Sequence, residues 1–166
     1  MSDAKHTDEP LIRIAAIDIG TNSAHLVIAE ADHQGHIKVL DTHREVLKLG
    51  ACIEKDTRNL SQDGIDKTVG ALHRMKEIAE NYKPVFRAVC THAIRNARNF
   101  ELVLETIQTQ TQIHVEPIDG IEESRLAALG MQFGLHLKDT RFLGVDIGGG
   151  STELSLIHIS EPTRPY

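Results

Sequence analysis

Two stretches far apart in the 166-residue chain present the same residue types in the same order. Ile17–Ile28 reads IDIGTNSAHLVI, and Val145–Leu156 reads VDIGGGSTELSL. Asp18 thus matches Asp146, Gly20 matches Gly148, Ser23 matches Ser151 and Leu26 matches Leu154. Each copy is a strand ending in aspartate, a glycine-containing turn with hydroxyls, and a returning strand. Glycine lets a backbone approach an anion closely, and successive N–H groups form a concave nest for phosphate oxygens. Serine and threonine hydroxyls add donors. An aspartate at the strand end can hold Mg²⁺ directly or through water, and the metal neutralises the phosphate. Two such hairpins facing one another would clamp a phosphate chain from both sides. A single D-I-G is also what any strand followed by a turn produces; the frame shared by two copies is what argues for a site.

Other nucleotide and metal signatures are missing. Gly148-Gly149-Gly150-Ser151-Thr152 lacks the lysine of a P-loop. It also precedes a strand, so it does not open the helix that a dinucleotide-binding turn requires. The ten histidines contain no H-E-x-x-H; His25 and His114 fall in strand segments, where a hydrogen-bonded role is the ordinary one. With 24 acidic against 18 basic residues the chain carries a net charge of −6, which argues against a general nucleic-acid binder. A phosphorylated substrate stays possible, because a few placed cations and N–H groups suffice. No apolar run reaches the ~20 residues that span a bilayer. The polar start, Met1–Glu9, has no apolar signal region. The two cysteines, Cys52 and Cys90, lie outside any C-x-x-C pattern, so a reducing cytoplasm is expected, with Cys90 a small core residue.

The elements that must position these residues follow from hydrophobic spacing. Leu11–Asp18 and His25–Glu30 read as a hairpin of two buried strands, and Ile37–Leu40 and Glu45–Leu49 as two further strands. Ser61 is placed to cap a helix carrying Ile65, Val69, Leu72, Met75 and Ala79 on one face, stopped by Pro84. Val85–Cys90 is a strand. Phe100, Val103, Leu104 and Ile107 mark a second helix, and Ile113–Ile118 another strand. Asp119-Gly120 signals a turn before a third helix, Ile121–Leu135, with Leu126, Leu129 and Phe133 facing inward. A hairpin first and strands alternating with helices afterwards predict an α/β layered fold with a mixed sheet flanked by helices.

The two outer hairpins resemble the phosphate loops of the actin-like ATPase superfamily, which has a ribonuclease H-like lobe and includes sugar kinases and the Hsp70 chaperone. Within it, the sequence is similar to the exopolyphosphatase/guanosine pentaphosphate phosphohydrolase (Ppx/GppA) family over roughly Ile12–Leu156. The similarity rests on AIDIGTNS (16–23), KLG (48–50), THAIRNARN (91–99), GIEESRL (120–126) and VDIGGGSTEL (145–154). Thr21 stands where serine is common and Cys52 where glycine is usual; Ala24 replaces what is often a larger residue.

The resemblance implies roles residue by residue. Glu123 matches the glutamate that activates the attacking water, and Glu153 an acidic residue near metal and water. Arg95 matches an arginine that contacts substrate phosphate. Asn22, Ser23, Gly148, Gly149, Gly150 and Ser151 would supply phosphate contacts, with Asp18 and Asp146 governing Mg²⁺. Each has an ordinary reading as well: Glu122 and Glu123 suit a first helical turn, Glu153 an outward strand position, and Arg95 a solvated helix terminus. The resemblance further implies a polyphosphate or (p)ppGpp-type nucleotide as partner, with no duplex nucleic acid and no membrane, and a homodimer in the full-length protein. The same hairpins would also serve a sugar-kinase-like phosphotransferase or an ATP-switched interaction protein. Family members continue well past the second hairpin, so residues 1–10 are expected to be a disordered arm, 11–135 a first lobe and 136–156 the start of a second, truncated lobe. The proline-containing stretch 157–166 resembles translated adapter sequence and is expected to be non-native. Such a chain would carry the catalytic residues with little or no activity alone.

Overall fold

The structure is a computed structural model, and it describes residues 11–135, 142–150 and 152–157. The expected arm (1–10), and all of the expected tail except Ile157, lie outside the described residues. Ile157 closes the last strand opposite Phe142.

Five strands, β1 (Ile12–Ile19), β2 (Ser23–Ala31), β3 (Ile37–Val46), β4 (Val85–Cys90) and β5 (Val115–Pro117), form one sheet in the order β3-β2-β1-β4-β5. The first three make an antiparallel meander; β4 and β5 run parallel to β1. Parallel neighbours need a crossover. Helix α1 (Gln62–Glu80) supplies it between β3 and β4, and α2 (His92–Arg95) with α3 (Phe100–Thr111) supply the next. Helix α4 (Gly120–Gly134) then leads to a separate antiparallel pair, β6 (Phe142–Ile147) and β7 (Thr152–Ile157). The α/β class and the mixed sheet are as the sequence predicts.

Strand alternation decides where the chemistry lies. Ala15, Ile17 and Ile19 of β1 and Ala24, Leu26 and Ile28 of β2 are buried with Ile65, Leu72 and Met75 of α1 and Val103 and Ile107 of α3. A period of two sends Ala16 and Asp18 to the opposite face, with His25 beside Asp18 in register. The two strands are therefore buried, as expected, but on one face only. Ile12 (58% exposed) and Val85 (53% exposed) stand at their open ends. The physical reason is that both crossover helices pack into the same core.

Two further expectations change. The segment 37–40 and the first two residues of 45–49 belong to a single strand, β3, whose polar middle had read as a break; the strand ends at Val46, and Leu49 opens a short 3-10 turn. Its pairing slips at Ile28/Ala29, where Leu40 is an extra bulged residue. On α4 the row Leu126, Leu129 and Phe133 is only partly covered, at 38%, 46% and 48% exposure, and Ala128 alone is buried. This helix packs mainly on β6–β7, where Gly144 lies under Met131 and Ser155 Oγ donates to the Ser124 carbonyl at 2.9 Å. Two strands shield only a narrow strip of a helix.

The capping signals hold. Ser61 Oγ accepts from the Gly64 N–H at 3.4 Å, and Asp119 Oδ1 from the Glu122 N–H at 2.8 Å, so Asp119 is a helix cap and not merely a turn residue. No helix of the described residues is long and apolar enough to cross a membrane.

Two glycines in α1 should respond oppositely to alanine. A Cβ on Gly64 would meet Leu60 Cδ1 at 2.7 Å and Cys52 Cβ at 2.8 Å, whereas on Gly70 the nearest atom is Arg74 Nη1, at the far end of a long side chain, at 3.4 Å. Gly64→Ala is expected to cost about 1–3 kcal/mol by overpacking, and Gly70→Ala to add about 0.5–1 kcal/mol through helix propensity. Denaturant midpoints of the two variants check both signs.

Candidate active site

The first turn leaves β1 at Ile19 and enters β2 at Ser23, closed by a Gly20 N–H to Ser23 carbonyl bond of 3.0 Å. It is braced on two sides. The Leu47 and Lys48 N–H groups donate to the Asn22 carbonyl at 2.9 and 3.0 Å, and the Leu49 N–H to the Thr21 carbonyl at 2.7 Å. On the other side the Thr91 N–H donates to the Ile19 carbonyl at 3.2 Å. Backbone groups of this turn are thus held by neighbours from β3 and α2 before any ligand arrives.

The second turn comes from β6–β7 and meets the first in direct contact. A Cβ on Gly149 would fall 2.2 Å from Asn22 Nδ2; on Gly150 it would fall 2.8 Å from Thr21 Oγ1 and 2.9 Å from His92 Cδ2. Real Cβ atoms do not approach so closely, so glycine is required here for turn-on-turn packing. Between the turns opens a cleft of about 340 Å³. Asp18, Asn22, Ser23, Glu123, Asp146 and Gly148–Gly150 all line it. The repeat read from sequence therefore folds into one place.

Three carboxylates, Asp18, Glu123 and Asp146, share this cleft. Asp18 opens toward it but is hemmed in by surrounding protein. That loss of water pushes its carboxyl above the ordinary value; His25 opposes the shift, and the charges of Glu123 and Asp146 add to it. Ser23 Oγ lies 2.9 Å from His25 Nε2, so its hydroxyl is already engaged. Among the described residues, no group of three or more His, Cys, Asp or Glu stands close enough to hold a metal by itself.

Glu123 sits in the first turn of α4, aimed by Arg95. The Arg95 Nη1 lies 3.2 Å from Glu123 Oε2 and also donates to the Ile118 carbonyl, and both side chains are largely buried. Arg95 Nη1 is thus engaged with a carboxylate and a carbonyl rather than solvated. Glu122 turns outward and pairs with Arg125 at 2.7 Å. Burial pushes the Cys90 thiol up to about 12, in keeping with a core residue. Ser151 and the side chain of Glu153 lie outside the described residues; the Glu153 backbone pairs with Asp146 across the hairpin.

The lining residues to which sequence reasoning gave no site role include His25, Arg44 and Thr91. Arg44 was lost because β3 had been read as two strands with a gap at 41–44. In the continuous strand it pairs with His25, on the same face as Asp18.

Comparison with known proteins identifies the family. The profile described as the Ppx/GppA phosphatase family matches residues 26–166. The chain belongs to the Ppx/GppA phosphatase family. Among its Ppx/GppA relatives, Exopolyphosphatase 1 of Mycobacterium tuberculosis is 29% identical over 145 residues, covering 87% of this chain and 42% of the relative. The Bifunctional 3-dehydroquinate synthase/phosphatase of Fusobacterium nucleatum is 31% identical over 151 residues, covering 86% of this chain and 22% of the relative. The chain therefore spans less than half the length of these curated relatives. In three dimensions it resembles the Aquifex aeolicus PPX-GPPA enzyme, at 34% identity and a TM-score of 0.78, over 90% of this chain and 49% of that one. An exopolyphosphatase from Cytophaga hutchinsonii superposes with a TM-score of 0.80 at 30% identity, over 90% and 47% of the two chains. The lobe is thus an actin-like ATPase fold of the Ppx/GppA type.

The turn-on-turn contact has a direct test. Gly149→Ala should destabilise the chain, and Asn22→Gly should relieve that cost. In a double-mutant cycle the two changes are expected to couple by about 0.5–3 kcal/mol, measured by thermal unfolding; additivity would show that the turns do not touch.

Proposed function

We propose that the chain carries the reacting groups of a phosphoanhydride hydrolase that releases the terminal phosphate of inorganic polyphosphate, with the 5′ γ-phosphate of guanosine pentaphosphate as the alternative substrate of the same chemistry. The observation that carries this reading is the Arg95-held Glu123 carboxylate at a cleft walled by two glycine turns, in a family whose members include proteins named exopolyphosphatase.

Phosphoryl transfer asks little covalent chemistry of a protein and much positioning. Glu123 would accept a proton from a water lined up with the terminal phosphorus, opposite the bridging oxygen that leaves. Arg95 keeps that carboxylate from swinging toward Asp18. Backbone N–H groups of the two turns would face the phosphate oxygens. Asp18 and Asp146 fit Mg²⁺: they are hard oxygen donors, and this ion is commonly held by one or two carboxylates with water and substrate phosphate completing the shell. The charge that crowds Asp18 is the kind a divalent cation relieves. When bound, the metal would neutralise negative charge on the phosphates.

The test is phosphate release by the gene product that carries this chain, offered polyphosphate, guanosine pentaphosphate and ATP separately. Glu123→Gln is expected to remove at least about 99% of the release, since general-base assistance is worth ~10²–10⁴-fold, with the melting temperature retained. Full activity in that variant would sink the assignment. Tight ATP binding without turnover would favour a nucleotide-switched interaction protein.

A further inference from the structure

Ser23 is placed to meet phosphate, yet its hydroxyl already has a partner: Ser23 Oγ lies 2.9 Å from His25 Nε2. Among the described residues this is the one hydrogen bond of that hydroxyl. The two residues stand two apart on β2, so strand alternation puts both on the open face of the sheet, and both line the cleft. The pair is held in place by the strands beside it. In register, His25 lies between Asp18 on β1 and Arg44 on β3, and Ser23 lies opposite Val46. The Ser23 carbonyl takes the Gly20 N–H at 3.0 Å, which fixes the backbone from which its side chain departs.

A hydrogen bond between a hydroxyl and an imidazole can run in either direction, and the two directions leave different groups facing the cleft. If the Ser23 hydroxyl donates to Nε2, its single hydrogen is used and only lone pairs remain. Those lone pairs would face phosphate oxygens, which are themselves acceptors. If Nε2 carries the hydrogen and donates, Oγ accepts, and the hydroxyl hydrogen is left to donate to a phosphate oxygen. Accepting from the ring also polarises the O–H and makes it the better donor. The ring tautomer therefore decides whether Ser23 attracts or repels an anion.

We propose that His25 is a positioning residue: its Nε2–H donates to Ser23 Oγ and turns the serine hydroxyl into a phosphate donor. Its effect on the ligand runs through Ser23. The inference rests on the proposed phosphate-binding reading of the cleft and adds to it the group that aims one of the donors.

Tripolyphosphate binding by the gene product that carries this chain tests this, with His25→Ala, His25→Gln, His25→Asn and Ser23→Ala. Glutamine can bring an amide N–H to the place of Nε2, whereas asparagine is too short to reach it. His25→Ala is expected to weaken binding about 3–10-fold, the worth of one ordinary hydrogen bond. His25→Asn should follow it, and His25→Gln should stay within about twofold of the unsubstituted protein. Adding His25→Ala to Ser23→Ala should cost nothing further, because the two residues act as a unit. His25 is exposed, so melting temperatures should be unchanged. Long-range proton–nitrogen correlation on the unsubstituted protein should place the hydrogen of the neutral His25 ring on Nε2 in the tripolyphosphate complex, a readout that needs no variant to fold. Unweakened binding by His25→Ala, no rescue by glutamine, additive losses in the double variant, or the hydrogen on Nδ1 overturns the positioning role while leaving the hydrolase reading standing. Failure of the unsubstituted protein to bind tripolyphosphate overturns both.

Discussion

Everything at this site depends on the close approach of two turns. Gly149 and Gly150 lie so near Asn22 and Thr21 that a single added carbon on either glycine would overlap its neighbour. That contact brings Asp146, at the end of β6, into the same cleft as Asp18, at the end of β1, although 128 positions separate them in sequence. The turn geometry on the β1–β2 side is fixed beforehand by hydrogen bonds from Leu47–Leu49 and Thr91. The second turn closes on an already rigid partner, which is the economical way to build a site for a highly charged ligand.

Charge is then sorted along the cleft. Acid collects where β1, β6 and the start of α4 converge, while Arg44, which makes no ion pair among the described residues, stands on the β3 side. Arg95 stands beside Glu123, with Nη1 bonded to that carboxylate and to the Ile118 carbonyl.

Much of this was legible in the chain. The repeat Ile17–Ile28 and Val145–Leu156 located both turns, and the spacing of Ile65, Val69, Leu72 and Met75, with Ser61 before them, located α1 and its cap. Residues that act through a local pattern are visible in sequence. What was not legible depends on which partner an element finds. The polar run Asp41–Arg44 looks like a break, yet antiparallel pairing with β2 carries β3 straight through it and delivers Arg44 to the cleft. Leu126, Leu129 and Phe133 have helical spacing, but only a two-stranded sheet lies beside them, so they remain half exposed. The family resemblance assigned Arg95 to phosphate; its pairing with Glu123 is a matter of three-dimensional placement that no local signal encodes.

The central claim is that the two turns form a single metal- and phosphate-binding site. Paramagnetic Mn²⁺ in place of Mg²⁺, added with tripolyphosphate to isotopically labelled protein, addresses it directly through amide line broadening. The account predicts simultaneous loss of signals from Asp18–Ser23 and Asp146–Gly150, with signals from α3 retained. Broadening confined to one turn, or spread over surface acids such as Glu101 and Glu105, would contradict it.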